Sequence, residues 1–401
     1  MSRLDELIAE LCPDGVEYRL LAELEDAKLI KLGRGNVISK KEIREIPGNY
    51  PVYSSSAVGN GEIGSYGKYM FNDERITWSI DGGGRFFYRP AHRYSITNVS
   101  GFIKILSKER INTKYLFYAL INEWRKKIFN YTHKAHPSII RNEYKIPIPP
   151  LPIQQEIVRI LDTFTELEAE LEAELEERKK QYEYYRDRLL AFEPDMVKWM
   201  LLDDIIISLN TGLNPRQFFR LNTDDAKNYY ITIRELQNNR IIFTNKTDRI
   251  NDEAMRLCNN RSNLEINDVL FSGTGTIGTT AIIETQPINW NIKEGVYAIK
   301  PKQELIIPRF LMYLLNSKQI RSQYMQKAAG GTVKSVPMNE MRKLRIPLPP
   351  LSEQERIVAI LDRFDALCND LTSGLPAEIE ARRKQYEYYR DKLLTFQEAK
   401  A

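Results

Sequence analysis

Apolar residues recur at alternating steps of four and three along one stretch: Ile157, Leu161, Phe164, Glu168, Leu171, Leu175, Arg178, Tyr182, Tyr185, Leu189 and Phe192. Only Glu168 and Arg178 interrupt this seam, which predicts one long helix that needs a partner helix to cover it. Its 39 residues, 154–192, would span roughly 58 Å at 1.5 Å per residue. The same seam starts again on Ile357, Leu361, Phe364, Cys368 and Leu371, meets TSGLP at 372–376, and resumes on Ile379, Arg382, Tyr386, Tyr389, Leu393 and Phe396. The four additional residues act as a stutter, and Gly374 with Pro376 predicts a helix in two pieces. Ahead of each helix stands a proline-rich lead, IPIPPL at 146–151 and IPLPPL at 346–351, which is extended because proline lacks the amide donor and restrains the residue before it. Further upstream, NTKYLFYAL (112–120) and PRFLMYLL (308–315) read as helices. NDVLFS and TTAII, and likewise WSI and FFYR, read as strands on either side of glycine turns.

The chain repeats itself. At an offset of 200 the leads match, followed by Gln154/Gln354, Ile157/Ile357, Val158/Val358, Ile160/Ile360, Leu161/Leu361, Asp162/Asp362, Phe164/Phe364 and Leu167/Leu367. At an offset of 204 the octapeptide KQYEYYRD recurs, 180–187 against 384–391. The starts correspond too, Val16, Tyr18, Leu20, Leu21 and Leu24 being answered by Val197, Trp199, Leu201, Leu202 and Ile205. The expected organisation is a first globular domain at 1–150, a helix at 151–194, a second domain at 195–350 and a second helix at 351–401. The fold class is α+β: two mixed α/β domains separated by two long helices that form an antiparallel coiled coil.

Composition adds a charge asymmetry. Segment 154–192 holds 11 acidic and 6 basic residues and segment 354–396 holds 8 and 7, so the helices carry −6 together. With +4 on the whole chain, the remainder carries +10, a balance suited to binding a polyanion. Cys12, Cys258 and Cys368 stand too far apart for a zinc spacing or a small disulfide framework. The charged start MSRLDELIAE and the lack of a long apolar run point to a cytoplasmic protein without a membrane span.

In LCPDGVEYRLLAEL (11–24), the two IPxPPLxxQxxIVxILD segments and the two RKxQYEYYRDxLLxF-like helix ends, the sequence resembles the specificity (S, HsdS) subunit of Type I restriction–modification systems. The resemblance runs through the whole chain in order. It implies that each variable domain is a target recognition domain reading one half of a bipartite double-stranded DNA site. The helices then set the unspecified spacer and dock two adenine-methylating M subunits, with R subunits joining through the complex. It also implies a chain that is not itself an enzyme and needs no cofactor. The four-residue excess in the second helix departs from strict symmetry between the copies.

Candidate DNA contacts follow from residue chemistry. Gly273, Gly275 and Gly278 spell GxGxxG, yet a strand-like TTAII follows where a dinucleotide site needs a helix N-terminus. The loop reads instead as a turn whose Thr274 and Thr276 can approach a phosphate, and glycines 82–84 with Arg85 and Arg89 form its counterpart. Further candidates are Lys31, Arg34, Lys40, Lys41, Arg44, Ser54, Ser55 and Ser56 in the first domain, and Arg216 in the second. Arg234, Gln237, Asn238, Asn239 and Arg240 combine the donors that pair with guanine and adenine edges, although amide-rich segments are also ordinary turns. Lys134 and Lys334 lie in basic stretches ahead of the proline leads. Tyr182, Tyr185, Tyr386 and Tyr389 fall on the seams and belong to packing, whereas Tyr184 and Tyr388 point elsewhere and suit a partner subunit. No NPPY, DPPY or GxxxxGK[ST] segment occurs, and His92, His133 and His136 have no metalloprotease or triad context. The rival readings are a self-sufficient DNA-modifying enzyme and an adaptor that binds only proteins.

Overall fold

The computed structural model describes residues 2–55, 59–129, 134–330, 333–370 and 372–399. Ser56, His133 and Leu371, named above, lie outside them. The chain divides into two compact units, Met1–Glu170 with Glu380–Ala401, and Leu171–Ile379. The divisions fall inside the helices, so each unit owns a globular domain together with a segment of each helical stretch.

In the first unit a four-stranded antiparallel sheet runs in the order Ile30–Arg34, Ser100–Ile105, Arg75–Ser79, Phe86–Arg89. A three-stranded sheet has Tyr50–Tyr53 at its centre, antiparallel to Glu62–Tyr66 and parallel to Ser95–Ile96. A third pair joins Tyr18–Leu20 to Lys145–Pro147, which brings the proline lead beside the domain's first strand. The second unit repeats all three. Its four-stranded sheet runs Ile206–Thr211, Val296–Pro301, Val269–Ser272, Thr280–Ile282. Asn228–Ile231 lies antiparallel to Arg249–Ile250 and parallel to Trp290–Ile292, and Lys198–Leu201 pairs with Arg345–Leu348. Both glycine turns are therefore hairpin turns, as their flanking β-branched and aromatic runs predict.

Each domain is keyed to its helix by the residues that repeat. Helix Leu151–Leu189 starts at the end of the first proline lead, and Ile153, Ile157 and Leu161 enter the core that holds Ile76, Trp78, Phe86 and Tyr115. Burying an apolar side chain of this size contributes about 1.5–3 kcal/mol. Gln154 is fully buried; its Oε1 accepts from the Asn112 amide at 2.8 Å, and its Nε2 donates to the carbonyls of Arg110 (2.9 Å) and Pro149 (2.7 Å). Gln354 does the same with the Ile307 amide (2.9 Å) and the carbonyls of Leu305 and Pro349, both at 3.0 Å. Two turns further on, Asp162 accepts from Tyr118 (2.6 Å) and Lys114 (2.5 Å) of helix Thr113–Trp124. Asp362 receives Tyr313 (2.6 Å) and Arg309 (3.2 Å) of helix Pro308–Asn316.

The heptad seam is the less exposed face of the helix, Phe164, Glu168, Leu171, Leu175, Arg178 and Tyr182 all being partly or fully buried. In the first unit Phe164 stacks on Tyr389 (5.5 Å between centroids) and meets Tyr386, while Glu168 pairs with Arg383, so these segments run antiparallel. In the second unit Tyr182 and Tyr185 meet Phe364 of helix Leu351–Asn369. Of the seam tyrosines, Tyr182 is buried and Tyr386 is partly buried. Tyr185 and Tyr389 stay 37% exposed despite their stacked rings. The second helix does break, resuming at Leu375. Asp370 caps the break, accepting from Thr372 and Ser373, and these hydrogen bonds hold its carboxyl down at about 2. Among the described residues no helix is long and apolar enough to cross a membrane.

Candidate nucleic-acid interface

Four loops gather at one end of the main sheet in each domain. In the first domain Ser55 is their hub: its hydroxyl donates to the Val99 carbonyl (2.5 Å) and receives the Ser79 hydroxyl (2.9 Å) and the Asp81 amide (3.1 Å). The Ile80 amide bonds Val99 and the Ala135 amide bonds Ile80, which clasps the segment before the proline lead onto the glycine hairpin. Ser54 is spent on Thr97 at 2.8 Å. The polar serines thus brace the loops, and the charges stand around them. Lys134 pairs with Asp81 at 3.0 Å, Arg34 donates through Nη2 to the Asn98 carbonyl at 2.7 Å, and Arg85 is exposed beside the Phe87 ring.

The second domain builds the same cluster from different side chains. The Gly273 amide bonds Gly295, the Val336 amide bonds Gly273, and the Gly275 amide bonds Lys334, so the clasp is repeated. Thr274 and Thr276 are exposed on the hairpin and Lys334 on the clasp. A groove of about 430 Å³ runs among Thr232, Arg234, Thr274, Lys293 and Gly295. Arg234 reaches across it to Asp248 at 2.7 Å, an exposed pair worth at most about 1 kcal/mol and easily exchanged for a phosphate. The close packing of the loops depends on glycine in both copies. A Cβ on Gly35 would stand 2.3 Å from the Ile96 carbonyl oxygen, and one on Gly212 would stand 1.8 Å from that of Ile292.

The structure corrects several sequence expectations. Arg89 is 6% exposed, stacked 3.6 Å over Tyr53 and bonded to Thr77 and to the Asn60 carbonyl. Burial draws its pKa below the usual arginine value, and its guanidinium serves the interior. Asn238 and Asn239, at φ 51° and 61°, form the tight turn of a hairpin between Leu236–Gln237 and Arg240–Ile241. Asn239 points inward, donating to Asp365 (3.0 Å) and accepting from Thr280 (3.0 Å) and Asn316 (3.1 Å), which leaves it no edge for a base. Burial raises the Asp365 pKa, and the amides of Asn369 and Asn239 oppose that rise. Arg240 leans toward Asp370 at 3.8 Å, and Gln237 folds back on the Arg234 carbonyl.

Lys40, Lys41 and Arg44 ride on a separate short helix, Lys40–Glu45, where Lys41 faces Glu45. Lys31 is exposed on a strand opposite Lys104, and Arg216 is exposed on helix Pro215–Phe218. Tyr184 and Tyr388 are 59% and 64% exposed, each edge-on to the tyrosine that follows it. Sequence reasoning missed Lys293. The echo between FIKI (102–105) and AIKP (298–301) aligns the turns before those strands and would have drawn attention to it. Among the described residues no His, Cys, Asp and Glu group could hold a metal ion.

The family model described as the Type I restriction modification DNA specificity domain matches residues 14–177 and again 194–381. The chain is 34% identical over 297 residues to the Type I restriction enzyme EcoR124I/EcoR124II specificity subunit of Escherichia coli, covering 71% of this chain and 70% of that one. It is 30% identical over 412 residues to a putative type I restriction enzyme specificity subunit of Haemophilus influenzae, covering 95% and 96%. Among solved structures, the S subunit of a Type I system from M. genitalium superposes with a TM-score of 0.53 at 15% identity, over 95% of this chain and 96% of that one. A chain from a structure on assembly and conformational transition of the type I restriction–modification system reaches 0.58 at 15% identity, covering 96% and 98%. Specificity subunits work on DNA with methyltransferase partners and carry no catalytic activity of their own. With two matches to the family model in tandem, one per domain, the chain belongs to the DNA specificity subunits of Type I restriction–modification systems.

Proposed function

We propose that each domain reads one half of a bipartite DNA target through its four-loop cluster, and that the helices fix the spacing and dock two methyltransferase subunits. The observation that carries this reading is the repetition of one loop scaffold with different side chains. Arg34, Arg85 and Lys134 stand on the first, and Arg234, Thr274, Thr276, Lys293 and Lys334 on the second. A common frame with divergent contacts is what two readers of unlike half-sites require, since frame contacts position the chain and side chains specify bases. The helical segments, packed antiparallel within each unit, form one coiled coil between the domains. Tyr184 and Tyr388 lie on its outer surface and face the methyltransferase, while restriction subunits join through the complex. The roughly 58 Å length of the first helix caps the separation of the half-sites at about 17 base pairs.

The test exchanges residues 1–145 for the first domain of another family member, co-expresses the chimera with its methyltransferase subunit, and maps methylated adenines. One half-site changes while the other half and the gap persist. Methylation without any motif, or a change in both halves, overturns the reading.

A further inference from the structure

The main sheets of the two domains correspond strand for strand, yet one shared position in the leading strand carries side chains of different kinds. The ladders equate Arg34, opposite Gly101, with Thr211, opposite Tyr297. The next residue is common to both, Gly35 and Gly212 each closing on an isoleucine carbonyl, that of Ile96 or Ile292. Thr211 is buried and spent inside its domain: its hydroxyl donates to the Val296 carbonyl at 3.0 Å and receives the Gly295 amide at 3.2 Å. Arg34 is exposed and reaches the turn that leads into the central strand Ser100–Ile105. A frame held constant with one residue exchanged is where two readers of unlike half-sites would differ.

The way Arg34 is held says what it can meet. One oxygen, the Asn98 carbonyl, accepts from both Nε (3.1 Å) and Nη2 (2.7 Å), which fixes the plane of the guanidinium. Nε–H and one Nη2–H share an edge of that group. Nη1 and the other Nη2 hydrogen therefore form a second, parallel pair turned away from Asn98, without an acceptor among the described residues. Asn98 is itself braced on both sides by the loop hub. The Thr97 hydroxyl hydrogen-bonds Ser54 at 2.8 Å, and the Val99 carbonyl accepts from the Ser55 hydroxyl and the Ile80 amide. The anchor is thus a neutral, immobile carbonyl, and nothing need leave Arg34 when a ligand arrives. Arg234 of the second domain is the contrary case, since its Nη2 is held by the Asp248 carboxylate, which a phosphate can replace. A phosphate contact needs charge and tolerates a mobile side chain, whereas a base edge is read by donors fixed in direction.

We infer that Arg34 is a specificity-determining residue of the first domain and reads a guanine in the major groove, its free Nη1 and Nη2 donors meeting O6 and N7. Guanine presents two adjacent acceptors there, which match the parallel donors; adenine sets an amino donor beside N7 and thymine and cytosine offer no such pair. The inference rests on the DNA reading proposed above. It requires a G·C pair at a fixed place in the first half-site, and Thr211 makes no equivalent contact in the second.

The test maps methylated adenines for the full chain assembled with its methyltransferase subunits. Arg34→Ala relaxes one guanine of the first half-site, discrimination against other bases there falling at least about fivefold, while the remaining positions, the gap and the second half-site persist. A second measurement needs no variant: 7-deazaguanine, which lacks the N7 acceptor, replaces each guanine of the first half-site in turn. At one of them it weakens DNA binding by the wild-type complex at least about fivefold, and binding by the Arg34→Ala complex is indifferent to it. A first half-site without a G·C pair overturns the inference. So does an unchanged motif in Arg34→Ala, with or without a uniform loss of affinity such as a phosphate contact would give, or a wild-type complex insensitive to 7-deazaguanine at every guanine of that half. A wild-type complex that methylates without any motif overturns the reading beneath it.

Discussion

Replacing Gln154 or Gln354 with methionine keeps the length of the side chain and removes its amide. In Gln154→Met the Asn112 amide and the carbonyls of Arg110 and Pro149 lose their partner, and in Gln354→Met the Ile307 amide and the carbonyls of Leu305 and Pro349 do. Both glutamines are 0% exposed, so water does not take over without the domain opening. A hydrogen bond contributes about 1 kcal/mol net, and a buried group left unpaired costs about 1–3 kcal/mol. Three such groups, partly offset by roughly 1 kcal/mol from the more apolar methionine, come to about 2–8 kcal/mol. Exchange of the Asn112 amide in Gln154→Met, and of the Ile307 amide in Gln354→Met, accelerates on the order of 100-fold by NMR or mass spectrometry. Each change is confined to its own unit. If Gln154→Met left Asn112 protected, or loosened Ile307 equally, the claim that these glutamines separately lock domain to helix would be wrong.

Asp268 is 1% exposed, one of its oxygens has no partner among the described residues, and burial raises its pKa to about 6. An acid whose pKa is raised on folding contributes stability at low pH and loses it as pH climbs from about 4 through about 6. Asp268→Asn therefore flattens the fall and gains about 3 kcal/mol at pH 7.5, with little change at pH 4. Parallel melting curves for both proteins across this range would contradict the burial argument. Gly374→Ala sets a Cβ 2.5 Å from the Ala366 carbonyl oxygen and 2.8 Å from that of Leu367. It costs about 1–3 kcal/mol of stability in a urea titration, and an unchanged midpoint would show that the break yields freely.

The helices were legible because a seam of period 3.5 is a local signal, and so was their break, since glycine and proline act on their own backbone. Even the polar intruders Glu168 and Arg178 lie on the less exposed stripe, each partly buried. The glycine turns were legible as hairpins for the same reason. Arg89 and Asn239 were not, because a side chain's inward or outward direction depends on partners brought from elsewhere. Asp365 lies 126 positions from Asn239, and nothing near QNNR records it. The pattern of amides correctly said turn; only the tertiary contact says which face of the turn is spent. The four-loop cluster was half visible: Lys134 and the glycine hairpin were each named, but their clasp is a pairing between segments some fifty residues apart.

The discontinuous first unit also sets an order of events during synthesis. Its core takes Leu394 and Phe396 from the second helical stretch, and Val16 pairs with Gln397 and Ala399 through backbone bonds of 2.8 and 3.0 Å. All of Leu171–Ile379 must leave the ribosome first, a delay on the order of 10–40 s at about 5–20 residues per second. The second domain, continuous in sequence, can finish while the first still waits with part of its apolar surface bare. The N-terminal half is thus the later of the two to mature, and a ribosome stalled before Leu394 leaves it unfinished beside a completed neighbour.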